Sequence, residues 1–527
     1  MIKNILIIMS FATIILGQYS PKSYTLEKNK LSKVNSINNA EDENPASNSI
    51  QDIIAEDDLI IIGTSRGLSL SGDNGESWNN FYQTEPFGTD GATAIGYNNG
   101  VIWVTTGKTT EVEGGSYLPE GTGIKYSTDL GATWVSLPQP VDEPDDSSIV
   151  YGINTLRALP VTTRINNISY DIAFTKNTIW ISSFAGGLRK SSDMGATWQR
   201  VILPPDTLDS ISPNDVLNFT LQPVAGAFGT ESWLNHRLFS VIGVDDSTLY
   251  VGTAGGINKS TDNGISWKKF NHKNQENPIS GNFVVGLGFN EADKSIWAAT
   301  WKAEDLEEFW AVSHSSDGGE NWETTLPDEH AHNFGFKYYN ASDFDVMVPT
   351  DKGIFRSNNN GNTWIQPSSI ADTYSKLPIV TNIFYSAASN KISATDYLIW
   401  IGSNNGLARL TETNGFWAGE WKVYLASDAI KADETYAFPN PFSPAHEFVK
   451  IKYGLNSSAD VTIRIMNFGM ELVRTLVQNT PRATGEQFEF WDGKDELGQT
   501  VTNGVYFYRI DSEALNSPLF GKIMVLK

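Results

Sequence analysis

One octapeptide constrains this chain more than anything else in it: Ser-x-Asp-x-Gly-x-Thr-Trp, which returns at long intervals. Ungapped copies stand at Ser71–Trp78, Ser127–Trp134, Ser191–Trp198, Ser260–Trp267, Ser315–Trp322 and Ser357–Trp364. A degenerate seventh runs from Thr411 through Gly415 to Trp417 and Trp421. Successive tryptophans are 42 to 69 residues apart, with Trp421 taken as the last. A period of this size marks a repeated supersecondary unit. In each copy the Ser and Asp side chains can close a turn by bonding backbone amides a few residues on. Gly accepts a positive φ. Trp then opens the next strand with a large apolar face. The sixth copy carries Asn359 in place of Asp. Asn keeps the acceptor oxygen and the shape, so the same turn is expected.

Upstream of the boxes a second pattern repeats: an apolar strand, a Gly-rich turn, and a short strand leading into the box. Leu59–Gly63 with Thr64-Ser65-Arg66-Gly67, Leu249–Gly252 with Thr253-Ala254-Gly255-Gly256, and Leu398–Gly402 with Ser403-Asn404-Asn405-Gly406 are examples. Each unit reads as four antiparallel strands, A to D. The Gly-rich turn joins B to C and the box joins C to D. One four-stranded sheet cannot bury both of its faces, whereas sheets packed around an axis can. The expectation is an all-β chain whose main body is a seven-bladed β-propeller. Strand order puts the D–A and B–C connections on one face, here the loop face, and the boxes on the other. Asp73, Asp129, Asp193, Asp262, Asp317 and Asn359 are therefore expected to be structural.

These boxes resemble Asp-box, or BNR, repeats over residues 49–427. That superfamily includes sialidases, xyloglucanase-type glycoside hydrolases, sortilin-type receptors and photosystem II assembly factors. The resemblance implies a fold but not a single chemistry. After a polar linker at 428–437, residues 438–527 change character, with Pro439-Asn440-Pro441-Phe442, longer alternating strands, Trp491-Asp492-Gly493 and Asn503-Gly504-Val505-Tyr506. This segment reads as an immunoglobulin-like β-sandwich. It is similar to the FlgD/Vpr immunoglobulin-like domain and to the C-terminal sorting domain of type IX secretion. The resemblance implies export and surface attachment in a two-membrane bacterium, with the export machinery as a partner.

Composition narrows the function. The formal net charge is -23, which disfavours nucleic acid and anionic lipid. There is no cysteine, so disulfides and thiolate chemistry are excluded. Residues 1–17 read as a signal peptide, with Lys3 ahead of an apolar run from Ile5 to Gly17. Residues 18–48 read as a polar N-terminal segment that could add an edge strand, and no span is expected to cross a membrane in the mature chain. The location expected is secreted or on the outer cell surface.

Long insertions are expected on the loop face, where binding on rigid scaffolds usually resides. Acids stand beside aromatics in them. The candidate ligand-binding residues are Tyr117, Arg157, Arg164, Trp233, Arg237, Trp301, Glu307, Glu308 and Trp310. Arg157, Arg164 and Arg237 could converge on an anion, whereas Arg189, Arg356 and Arg409 sit at matching places on C strands and look structural. His330 and His332 would share a face of a strand but lack an obvious third metal ligand. No catalytic residue and no metal site are assigned. No cofactor is expected, with calcium left open. The reading favoured is a binding protein for a polysaccharide or an extracellular protein. A xyloglucanase-like or sialidase-like glycoside hydrolase using loop-face carboxylates, and an assembly or scaffold factor, remain as alternatives.

Overall fold

The computed structural model describes residues 42–222, 233–303, 305–393, 395–413, 415–426, 430–445 and 447–527. The signal-peptide reading of residues 1–17, and the polar segment up to residue 41, lie outside the described residues. The chain divides into two compact units, one of residues 1–367 with 381–418 and the other of 368–380 with 419–527.

The first unit is all-β. It is built from antiparallel sheets of the kind that form propeller blades, laid down in chain order. Their first strands are Ile50–Glu56, Gly91–Asn98, Ser169–Thr175, Leu238–Gly243, Phe283–Phe289, Gly335–Tyr338 and Phe384–Lys391. They open sheets 1 to 7. In sheet 1 the order is Ile50–Glu56, Leu59–Thr64, Gly67–Ser71, Asn79–Asn80. The Gly-rich turn joins its second and third strands and the box joins its third and fourth. Phe384–Lys391 of sheet 7 packs against Ile50–Glu56 of sheet 1, which closes the series on itself.

The boxes have one internal architecture. In the first, Ser71 donates to Asp73 at 2.7 Å, the Gly75 amide donates to the Ser71 hydroxyl at 2.7 Å, and the Ser77 amide and hydroxyl donate to the two Asp73 oxygens at 3.0 and 2.6 Å. Asn359 closes its turn in the same way, except that its amide now donates to Thr363 at 2.9 Å. The box glycine takes positive φ, and so does the residue before it, including Leu130 at 55° and Met194 at 59°. Absence of a side chain on the glycine also lets sheets approach, since a Cβ on Gly264 would strike the Trp180 ring of sheet 3. Each box Trp then packs between sheets. Trp364 meets Trp297 edge-on at 6.5 Å, and Trp78 meets Trp400 at 6.2 Å across the closure between sheets 7 and 1.

A β-bulge interrupts the first strand at its loop-face end in sheets 1, 2, 3, 4, 5 and 7. Sheet 6 has the same one-residue excess, because Ala331 opposes Thr350 while Gly335 opposes Met347. Bulges bend a strand and re-aim its side chains. Here they act where the first strands begin, next to the loop-face connections.

Residues 42–48 do not form a full strand. Asp42 makes a two-bond bridge with Trp78, and Asn80 donates to Asp42 and to the Asn44 carbonyl, so the segment runs along the outer edge of sheet 1. The two longest insertions, residues 137–167 and 203–237, depart from expectation in their described parts. Both were expected on the loop face, yet Tyr151 reaches the box of sheet 4, donating to the Ile265 carbonyl at 2.7 Å. Ser210–Ile211 adds a fifth strand to sheet 4, beside Trp267–Phe270. Leu156, Leu203, Ile211 and Leu221 join one core with Trp180 and Trp267. Apolar burial thus draws much of these insertions onto the flank of sheets 3 and 4.

The second unit contains two antiparallel sheets. One orders Thr435–Phe438, Val449–Leu455 and Gly485–Trp491, and the other orders Leu472–Arg482, Ala459–Met466, Gly504–Ser512 and Leu519–Val525. Both contribute to one core that includes Ile451, Tyr453, Ile463, Trp491 and Tyr508. Thr435–Phe438 is a strand that begins inside the stretch 428–437 read as a linker and runs one residue beyond it. The Pro-Asn-Pro-Phe segment covers the free edge of Leu519–Val525: Asn440 bonds the Lys522 carbonyl and the Met524 amide, and the Phe442 amide bonds the Met524 carbonyl. Covering an edge in this way blocks unwanted strand pairing.

Candidate functional site

Three connections at the loop-face ends of sheets 5 and 6 bring a histidine pair, a carboxylate and two indoles together. Trp301 ends the second strand of sheet 5 and Trp310 ends the loop that follows it. His330 and His332 lie in the connection from sheet 5 to sheet 6. Asp351 sits in the tight turn between the second and third strands of sheet 6, where the Thr350 hydroxyl donates to the Gly353 carbonyl at 3.1 Å. His330 donates from Nδ1 to one Asp351 oxygen at 3.0 Å, and His332 from Nε2 to the other at 2.8 Å. The His330 ring lies 5.0 Å from Trp301 and 4.8 Å from Trp310, edge-on to the latter, while His332 meets Tyr385 of sheet 7 at 5.3 Å. Burial raises the Asp351 carboxyl, but the hydrogen bonds it accepts from His332 and then His330, with the charge of either ring when protonated, outweigh it and hold the group below its ordinary value. The site therefore carries a carboxylate at neutral pH. Among the described residues no group of three His, Cys, Asp or Glu is placed to hold a metal ion. Each oxygen of Asp351 is already taken by one imidazole.

The remaining sequence candidates are dispersed. Glu308 is buried and braces its own loop, accepting from the Ala303 amide at 2.6 Å and from Asn282. Glu307 is exposed in the same loop, its amide bonded to Asp305. Trp301 is buried and donates to the Ala331 carbonyl at 2.9 Å, so of the two indoles only Trp310 is exposed to solvent. Tyr117 stands exposed near the tip of a long hairpin and donates to Glu111 at 3.2 Å, which raises its hydroxyl above the usual range. Trp233 is buried and stacks on His236 at 5.5 Å. Burial pushes the His236 ring down to about 4.

The three arginines are engaged separately. Arg164 pairs with Glu120 at 3.0 Å, Arg237 is buried with its guanidinium over Phe184, and Arg157 lies exposed on the insertion strand Asn154–Ala158. Asp142, another acid of the insertions, is consumed by Arg189 at 2.6 Å and Arg200 at 3.1 Å. Asp206 caps the amides of Leu234 and Asn235, and burial raises its carboxyl. Arg356 is bound to Asp345 and Glu412, and Arg409 to Glu76. Two further acids of the long insertions, Glu231 and Glu304, lie outside the described residues.

Sequence reasoning missed Asp351 and Tyr385. The available signal for Asp351 was its place in a Thr-x-x-Gly turn, the same B–C turn as in the other repeats, 21 and 19 residues after the two histidines it binds. Nothing local distinguishes Tyr385.

No protein-family model matches the sequence, and no curated protein matches it. Among the described residues no helix is long and apolar enough to cross a membrane. Solved structures do match. PorZ, an essential bacterial surface component of the type IX secretion system of Porphyromonas gingivalis, is 13% identical, with 91% of this chain and 66% of that chain covered and a TM-score of 0.32. The chain thus spans just under two thirds of that protein. The GH74 xyloglucanase from Xanthomonas campestris is 11% identical over 90% of this chain and 74% of that chain, with a TM-score of 0.48. YCF48 bound to D1 peptide is 14% identical over 72% of this chain and 96% of that chain, with a TM-score of 0.42.

Proposed function

We propose that this chain is a secreted or surface-held binding protein: a seven-bladed Asp-box propeller followed by an immunoglobulin-like sandwich, taking a polysaccharide or an extracellular protein on its loop face. The observation that carries this reading is the convergence of Trp310, His330 and Asp351 from three separate connections. An open aromatic face beside fixed polar groups is what a binding site needs. A hydrolase would need two carboxylates aimed at substrate across a gap. Glu308, Asp142, Asp206 and Glu120 instead hold amides, arginines and a lysine of the protein itself, which favours binding over hydrolysis. The second unit serves export or surface attachment in this reading, supported by the sequence resemblance of residues 438–527.

The test is capture by the immobilised full chain of glycans and of proteins from an extracellular fraction. Capture lost on replacing Trp310 and His330 together, with the fold intact by circular dichroism, is the expected result. Capture indifferent to both changes, or no capture of either class, would remove the reading. Export is tested separately: truncation before residue 438 should leave the chain inside the cell.

A further inference from the structure

We propose that Trp310, His330 and Asp351 form a subsite for a neutral pyranose ring, stacked on the Trp310 indole with a hydroxyl donated to His330. The proposal rests on the reading that the loop face binds a ligand, and it names the class. Exposure within the cluster is unequal. Trp310, His330 and Asp351 are 37%, 36% and 38% exposed, whereas Trp301 and His332 are 6% and 4% exposed. The buried pair forms the support and the other three form the open part.

The hydrogen bonds fix what the open part offers. Asp351 is a carboxylate and can only accept, so His330 must keep its proton on Nδ1. In the neutral imidazole Nε2 then carries the lone pair. Trp301 and Trp310 both pack against the ring and Asp351 holds its Nδ1, so the position of Nε2 is constrained. The site therefore combines hydrogen-bond acceptors with an aromatic face. Sugar hydroxyls are donors, and the C–H face of a pyranose lies flat on an indole. A carboxylated sugar would meet Asp351 and the neighbouring Glu329. The ammonium of Lys352 is already engaged, by Glu329 at 3.0 Å and by the Asp328 carbonyl at 2.9 Å. Neutral sugar is thereby preferred over uronate or sialate, in keeping with a chain of net charge -23.

Titration of the full chain with cellohexaose, laminarihexaose and mannohexaose, and with a galacturonate hexamer, followed by calorimetry and indole fluorescence, tests this. At least one neutral hexaose should bind. Trp310→Ala should weaken it tenfold or more, Trp310→Phe should retain most of the affinity, and His330→Ala should weaken it several-fold. Free glucose or mannose, binding far more weakly than its hexaose, would mark a polymer rather than a monosaccharide as the natural source. Neutral hexaose bound equally well by Trp310→Ala would overturn the subsite. Binding of the galacturonate alone would overturn the neutral class. If no glycan binds but a protein is captured through Trp310 and His330, the sugar proposal fails while the binding reading stands. If nothing is captured at all, both fail.

Discussion

At the scale of single residues, the boxes turn on conformation as much as on hydrogen bonds. The sequence pattern points to glycine as the residue with positive φ, yet the position before it is left-handed too. Asn occupies that position in three boxes and Gly in one, and both tolerate it. Leu130 and Met194 do not, and both side chains are exposed, so nothing in the packing compensates. Leu130→Asn is expected to stabilise the chain by about 0.5–1 kcal/mol, read as a raised urea midpoint. An unchanged or lowered midpoint would contradict the argument. The position is unreadable in the sequence because it is variable there. Only the backbone angle reveals that the turn constrains it.

At the scale of elements, the seventh repeat shows what happens where the box decays. Between sheets 6 and 7 a buried charge network stands beside the degenerate copy. Arg356 donates to Asp345 at 2.5 Å and to Glu412 at 2.6 Å, and Lys337 also pairs with Glu412. The Trp417 amide donates to Glu412 at 2.9 Å, tying the remnant of the box to the network. Burial lowers the Arg356 guanidinium, but Glu412 and Asp345 more than reverse this and raise it above its ordinary value. Removing Arg356 would leave buried Asp345 without its cation and buried Glu412 with Lys337 alone. Arg356→Ala is expected to cost roughly 3–5 kcal/mol, measured by urea denaturation, with a much smaller loss for exposed Lys376→Ala as the control. A loss below 1 kcal/mol would mean that the network relaxes to water. The sequence places Arg356 on a third strand. It does not reveal the partners, because Glu412 is 56 residues away.

At the scale of the whole molecule, the boxes act in parallel. Hydrogen bonds from Thr197 and Ser191 bring Asp193 down to about 2. Burial raises Asp317, but Asn321 and Ser315 outweigh it and bring it to about 2 as well. Asp73, Asp129 and Asp262 are also lowered. A carboxyl whose folded value is depressed stabilises the fold above its unfolded value, near 3.8, and loses that contribution as pH falls through the folded one. The boxes should therefore keep their contribution from neutral pH to about 4 and lose it toward about 2, while buried His236, held down to about 4 against an ordinary 6.5, adds a separate loss as pH falls between those two values. Urea midpoints at successive pH values check this. Asp193→Asn, which imitates Asn359, should reduce the drop, because an amide does not titrate in that window. A profile with no loss between pH 4 and 2 would contradict the argument for the boxes.

The repeat by itself determined the local turn, the order of strands within each sheet and the alternation of loop and box faces. These follow from contacts within about ten residues, and such contacts are written in consecutive residue types. Tertiary structure decided what the long insertions do. Their apolar residues clad the flank of sheets 3 and 4, and burial across more than fifty residues leaves no local pattern. It also decided the candidate site. Trp310, His330 and Asp351 come from three connections whose convergence depends on how sheet 5 packs on sheet 6. The alternation of His330 and His332 was visible in the sequence. The carboxylate that fixes both rings became visible only when the second sheet brought its turn to them.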